Sequence, residues 1–307
     1  MLLKFAIKNF YDDRDYRNVS TVTLKTYQRT LNEFQHFCSG IDVVNAEDVT
    51  PKVIKVYLMY CKKERGNKPT STNHKLHNLK VFFNYLTEEL EVFSEKTNPT
   101  QKIPYAKVDI KIEAFTEQQI KQMLNYYRKL KSKDKTFWAY RDYTIIIVFL
   151  GTGIRLGELV NLKWHSVNFI DNTITHYGKK RAYATLPMNE KLKKELADYK
   201  VYCQQYFGEL NKNVFVDRNN KPLSDNAVKC IFKRLKEIMN FKNVRLSAHT
   251  FRHTFAHNYL MKGGDVFSLQ KMLNHSSLTT TQKYVSLWGH ALKEQNDKFN
   301  PLNDFDF

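Results

Sequence analysis

Apolar residues recur along this chain at two periods. One near 3.6 runs through most of the sequence and one near 2 through a short central stretch, which predicts helices around a small patch of strand. The opening residues, Met1 to Ile7, are apolar but broken by Lys4 and predict an irregular start. Ser20 and Thr21 then precede Leu24, Tyr27, Leu31, Phe34 and Phe37, spaced by threes and fours on one helical face. Thr50-Pro51 opens a second helix carrying Val53, Ile54, Val56, Tyr57 and Tyr60, since proline at the first helical position has a suitable φ and no donor to lose. Ser71 to Glu91 reads as a third, with Leu76, Leu79, Phe82, Phe83 and Leu86.

Asn98-Pro99 and Pro104 interrupt the pattern, and an uncapped stretch of alternating charge follows to about Glu113. The boundaries drawn from this are a helical domain at 1–105, a linker at 106–115 and a second domain at 116–307. Thr116 before an acidic first turn restarts helix through Leu130, and Asp142 to Leu150 is a strongly apolar helix. Between Val167 and Met188 the period changes: Thr173 to Tyr177 and Arg181 to Pro187 read as strands of a hairpin, with a basic tip at Gly178-Lys179-Lys180. Residues 190–207, 224–240, 249–262, 265–273 and 278–297 read as helices. The fold class expected is mainly α with a small β-sheet or hairpin, in two domains.

Composition narrows the partner. Lys and Arg number 49 against 31 Asp and Glu, a formal net charge of +18, which favours a polyanion. Residues 1–105 hold 16 basic and 12 acidic side chains and residues 106–307 hold 33 and 19, so the excess sits in the second part. No segment approaches the roughly 18 apolar residues of a membrane span. Four scattered cysteines, Cys38, Cys61, Cys203 and Cys230, fit buried thiols in a reducing cytosol, and a cytoplasmic protein is expected.

The candidate chemistry lies in three segments. In Thr152-Gly-Ile-Arg155-Leu-Gly-Glu158, Arg155 and Glu158 are neighbours at i and i+3, so the carboxylate can aim the guanidinium. In His249-Thr-Phe-Arg252-His253, an imidazole and a guanidinium can converge on one phosphate, whose oxygens match the donor fork of arginine. His249, His253 and His257 also recur at four-residue intervals and form an alternative metal site, although no carboxylate lies among them to act as base. In the third segment His275 ends a helix and Tyr284 follows nine positions later.

The order Arg155, Lys179, His249-x-x-Arg252, His275, Tyr284 resembles the tyrosine recombinases, the family of phage integrases and Xer recombinases. The segments TGIRLGELVNLKW, AHTFRHTFAHNYLMKGGD and LQKMLNHSSLTTTQKYV are similar to the family's boxes, and the likeness runs from Phe115 to the end of the Tyr284 helix. The first hundred residues resemble the family's core-binding domain only in size and helix pattern. One departure is Asn274, where a glycine usually precedes the histidine.

The resemblance implies two domains closing as a C-shaped clamp on double-stranded DNA carrying specific recombination sites. It implies a tetramer on two synapsed sites, with the chain after Tyr284 docking on a neighbour; the aromatic tail from Phe299 to Phe307 reads either as that docking segment or as a frayed terminus. It implies Tyr284 as nucleophile forming a 3′-phosphotyrosine, Arg155, Arg252 and His275 around the phosphate, His249 as the proton-transfer group near the Tyr284 hydroxyl and Lys179 as acid for the leaving 5′ oxygen. Neither cofactor nor metal is implied. Such a recombinase integrates or excises mobile elements or resolves dimers as Xer proteins do. The competing readings are strand relaxation of the type IB topoisomerase kind, a non-catalytic DNA-binding protein, and a metal hydrolase built on the histidine helix.

Overall fold

The computed structural model describes residues 1–108, 112–177 and 183–275, together with Thr281 and Tyr284. The chain divides into two compact units, Met1–Ile110 and Lys111–Phe307.

The first unit packs four helices, α1 (Leu3–Tyr16), α2 (Thr21–Ser39), α3 (Pro51–Lys63) and α4 (Pro69–Glu88). The helix starts follow the caps in the sequence: the Ser20 side chain accepts from the Thr23 amide, and the Thr50 side chain accepts from Val53 above Pro51. The expected irregular start is corrected, because Leu3, Ala6, Ile7 and Phe10 lie on one buried face and make α1 a full helix. Phe10 sets its ring edge-on to Tyr27, Phe82 and Tyr85, and burying a side chain of this size contributes about 1.5–3 kcal/mol. Lys4 and Lys8 sit on the exposed side of the same helix and do not interrupt it.

The second unit is built around α6 (Phe137–Thr152), which packs against α5 (Glu117–Lys133), α8 (Glu190–Phe207) and α10 (Ala248–Met261). Being buried on nearly all sides, α6 has apolar residues all round rather than in a stripe. Phe149 on α6 meets Phe232 of α9 (Asp225–Met239) and Phe251 of α10, tying the three helices at the end where the site lies. Ile112 and Phe115 both pack onto this unit, and the Phe115 amide donates to Thr254 Oγ1 at 2.8 Å.

The strands β1 (Val167–Asn168), β2 (Thr173–Tyr177) and β3 (Tyr183–Pro187) form an antiparallel sheet in sequence order. The β2–β3 register pairs Thr173 with Pro187 and Tyr177 with Tyr183. Lys179 falls outside the described residues, as do the tail from Phe299 and, apart from Thr281 and Tyr284, the helix expected at 278–297. Cys38, Cys61 and Cys203 are buried free thiols, whereas Cys230 is exposed, so burial is not uniform as expected. No helix among the described residues is long and apolar enough to cross a membrane.

Candidate active site

The site forms where α6 ends. Gly153, at φ 63°, reverses the chain out of α6, and a Cβ there would stand 2.6 Å from Phe255 and 2.9 Å from Leu273. Two residues later Arg155 precedes the short helix α7 (Leu156–Val160). Glu158 accepts from the Arg155 backbone amide at 2.9 Å and from its guanidinium at 2.8 Å, while the other guanidinium arm donates to the Asn274 carbonyl at 3.0 Å. Burial pushes the Glu158 carboxyl up, but the approach of His176 and the two Arg155 hydrogen bonds outweigh it and hold it at about 2. His176, on β2, brings Nε2 to 3.4 Å from Glu158 Oε2, although neither ring nitrogen makes a hydrogen bond of good geometry among the described residues.

Arg252 rises from the start of the second turn of α10, whose N-terminus is fixed by Ser247 accepting from the Thr250 amide. It is only 6% exposed, donating one arm to the Gly153 carbonyl at 2.8 Å and the other to the Leu273 carbonyl. Burial, reinforced by the nearby positive charge of Arg155, lowers its pKa to about 10 and leaves it cationic at neutral pH. The two arginines thus anchor on consecutive carbonyls, Leu273 and Asn274, just after α11 (Val266–Met272).

That turn presents His275. Asn274 has φ 47°, in the left-handed region that asparagine tolerates better than most residues. It therefore holds a left-handed turn of the kind that glycine also takes. His275 Nδ1 lies 2.9 Å from Thr281 Oγ1. Its pKa is lowered to about 4 by burial and then by Arg252, Arg155 and His253, so the ring is neutral at pH 7.

Tyr284 is 4% exposed, with its ring nearly parallel to that of His275 at a centroid distance of 6.4 Å. Its hydroxyl lies 2.8 Å from His253 Nδ1. Burial raises the phenol pKa above its ordinary value against the pull of Arg252. Burial also lowers the His253 pKa, with His249 and Arg252 adding to the effect.

The structure therefore brings Arg155, Arg252, His275 and Tyr284 together. His249 joins Arg155 and Arg252 in lining an adjoining cavity of about 610 Å³, whose walls also carry Lys229, Lys233 and Lys236 from α9 and Arg245. Burial lowers its pKa, with Arg252, Arg245 and Arg155 reinforcing the shift. The evenly spaced histidines diverge: His249 lines the cavity, His253 meets Tyr284, and His257 Nδ1 lies 3.2 Å from Asn258 Oδ1. Among the described residues no group of three or more His, Cys, Asp or Glu is arranged to hold a metal. Sequence reasoning missed His253 as the neighbour of Tyr284. Its place one turn after His249 was visible, but the return of the chain 31 residues later was not.

Residues 113–288 match the phage integrase family and residues 7–90 match the phage integrase N-terminal SAM-like domain. A tyrosine recombinase XerC of Caldanaerobacter subterraneus subsp. tengcongensis is 32% identical over 86% of this chain and 72% of its own length. A tyrosine recombinase XerC of Thermodesulfovibrio yellowstonii is 29% identical over 99% of this chain and 98% of its own. Among solved structures, the Tn1549 transposon integrase in complex with transposon right end DNA superposes with a TM-score of 0.77 at 18% identity, covering 97% of this chain and 99% of the other. The XerH site-specific recombinase in a post-cleavage complex with palindromic difH substrate gives 0.74 at 19%, covering 92% and 81%. At these identities the structural likeness establishes the fold.

Proposed function

The chain belongs to the phage integrase family, the tyrosine recombinases, and from that premise we propose that it is a site-specific recombinase joining double-stranded DNA through a 3′-phosphotyrosine at Tyr284. The observation that supports this best is the turn at 273–275. The Arg252 and Arg155 guanidinium groups hold its first two carbonyls, and the third residue, His275, lies beside the Tyr284 ring.

A phenol with an ordinary pKa of about 10 is a weak nucleophile at neutral pH, so cleavage depends on positive charge waiting where the phosphorus becomes pentacoordinate. In this reading Arg155 and Arg252 bind the non-bridging oxygens, His275 adds a hydrogen bond, and the Tyr284 oxygen attacks phosphorus as the bond to the 5′ oxygen breaks. Lys179 protonates that leaving oxygen, and His249 takes the family's proton-transfer position beside the scissile phosphate. The reverse reaction, with a 5′ hydroxyl from a second site, rejoins the strand. The phosphotyrosine conserves the bond, and the cationic side chains supply the neutralisation, so the scheme uses neither cofactor nor metal.

Rows of lysines along the cavity suit the flanking phosphates, whose contacts give affinity and orientation while base edges give site choice. Exchange between two sites calls for four protomers on two synapsed duplexes, acting in the cytoplasm. The same chemistry serves integration and excision of a mobile element and Xer-type dimer resolution. The test is Tyr284→Phe on a nicked suicide substrate: DNA binding should persist and the covalent complex should vanish. A persisting adduct in that variant would overturn the reading.

A further inference from the structure

We propose that His176 is a positioning residue for cleavage: from β2 it braces the Glu158 carboxylate, which in turn holds the Arg155 guanidinium where the phosphate binds. The role rests on the recombinase reading. Strand β2 alternates, and its inward positions are Ile174 and His176, 0% and 5% exposed. Ile174 belongs to the apolar core of the second unit, and the same period calls for another apolar side chain two residues on. An imidazole stands there instead. Its cross-strand partner is Ala184, and among the described residues neither ring nitrogen makes a hydrogen bond of good geometry. A buried polar group left in this state costs stability and calls for a compensating reason.

The group that it faces supplies that reason. His176 Nε2 lies 3.4 Å from Oε2 of Glu158, which is itself buried in α7. With its proton on Nε2 the ring points a donor at the carboxylate, whereas the other neutral form would set a lone pair against an anionic oxygen. Both Glu158 oxygens are otherwise committed to Arg155: Oε2 accepts from its backbone amide and Oε1 from its guanidinium. The other guanidinium arm is fixed on the Asn274 carbonyl, so a swing of the carboxylate would tilt the donor fork about that anchor. Burial pushes the Glu158 carboxyl up, and of the contacts that bring it down to about 2, the one with His176 leads. The imidazole therefore ties the carboxylate to the sheet, and through it the arginine that grips phosphate.

The experiment follows covalent complex formation on a nicked suicide substrate by the full chain, with DNA binding and melting measured for each variant. His176→Leu fills the space without a donor. It should bind DNA as wild type does and form adduct about 10- to 10²-fold more slowly, the scale expected of a misplaced clamp. His176→Gln can return a donor to the place of Nε2 and should regain most of that rate, whereas the shorter His176→Asn should not. In a Glu158→Gln background His176→Leu should add little further loss, because one residue works through the other. A substrate with sulfur in place of the leaving 5′ oxygen needs no protonation, and it should leave the His176→Leu loss in place because Arg155 rather than Lys179 is disturbed.

Four results would each overturn the proposal: His176→Leu cleaving at the wild-type rate, His176→Gln cleaving no faster than His176→Asn, an undiminished loss with Glu158→Gln present, or rescue by sulfur. Should His176→Leu fail to fold, the comparison of Gln with Asn still decides. Absence of adduct in the wild-type protein would instead strike at Tyr284 as nucleophile.

Discussion

Glu158 shows how much one side chain can govern in this site. Its carboxylate holds Arg155 by two hydrogen bonds and is itself held near pKa 2, below its ordinary 4.5. A carboxyl depressed on folding stabilises the native state above its unfolded pKa, and that stabilisation is lost as pH falls through the folded value. Here the window is about pH 4.5 down to 2. Glu158→Gln should therefore lose less melting temperature between pH 5 and pH 3 than wild type does, and identical profiles would remove the linkage. The same variant should slow cleavage about 10-fold or more, short of the roughly 10²–10³-fold expected for losing a charge-stabilising donor outright. The i, i+3 spacing made this pair legible in the sequence. What spacing could not reveal is that both arginines rest on main-chain carbonyls far along the chain, since every residue has a carbonyl and only the fold selects which ones face inward.

Helices were legible wherever one face is apolar and a cap stands at the start. Thr116, for example, is the N-cap its sequence suggested and accepts from the Gln119 amide; the Gln119 side chain accepting in return from the Thr116 amide was not read from the sequence. The strands β2 and β3 were read from alternation, which holds at Thr173–Tyr177 and Tyr183–Pro187, and the tip between them lies outside the described residues. The miss was α1, where a lysine inside a short apolar run hid a face that closes only against α2 and α4. The C-terminal end of α6 is where element and site meet. Gly153 supplies the left-handed turn, the space beside Phe255 and the carbonyl for Arg252. Gly153→Ala should cost more than the about 1 kcal/mol of an ordinary glycine substitution, because a positive φ and a close contact act together. At about 2–4 °C per kcal/mol for a unit of this size, a calorimetric drop of several degrees is expected. An unchanged melting temperature would show that the turn relaxes freely.

At the scale of the molecule, the proline breaks at Asn98-Pro99 and Pro104 and the uncapped stretch after them put the expected boundary at 105 with a linker at 106–115, and the chain divides into compact units at residue 110. The basic excess of the second part gathers in part around the cavity beside Arg155 and Arg252, where α9 presents Lys229, Lys233 and Lys236. Charge alone would fit any DNA-binding protein. A covalent bond to one tyrosine is what separates a recombinase from such a protein. The most direct measurement traps the adduct on a nicked site, digests it with trypsin and nuclease, and locates the remaining nucleotide by mass spectrometry. A 3′-linked nucleotide is expected on the peptide from Tyr284 to Lys293, carried by the phenolic oxygen of its first residue. A nucleotide mapped to any other peptide, or a cleaved strand with no peptide attached, would contradict it.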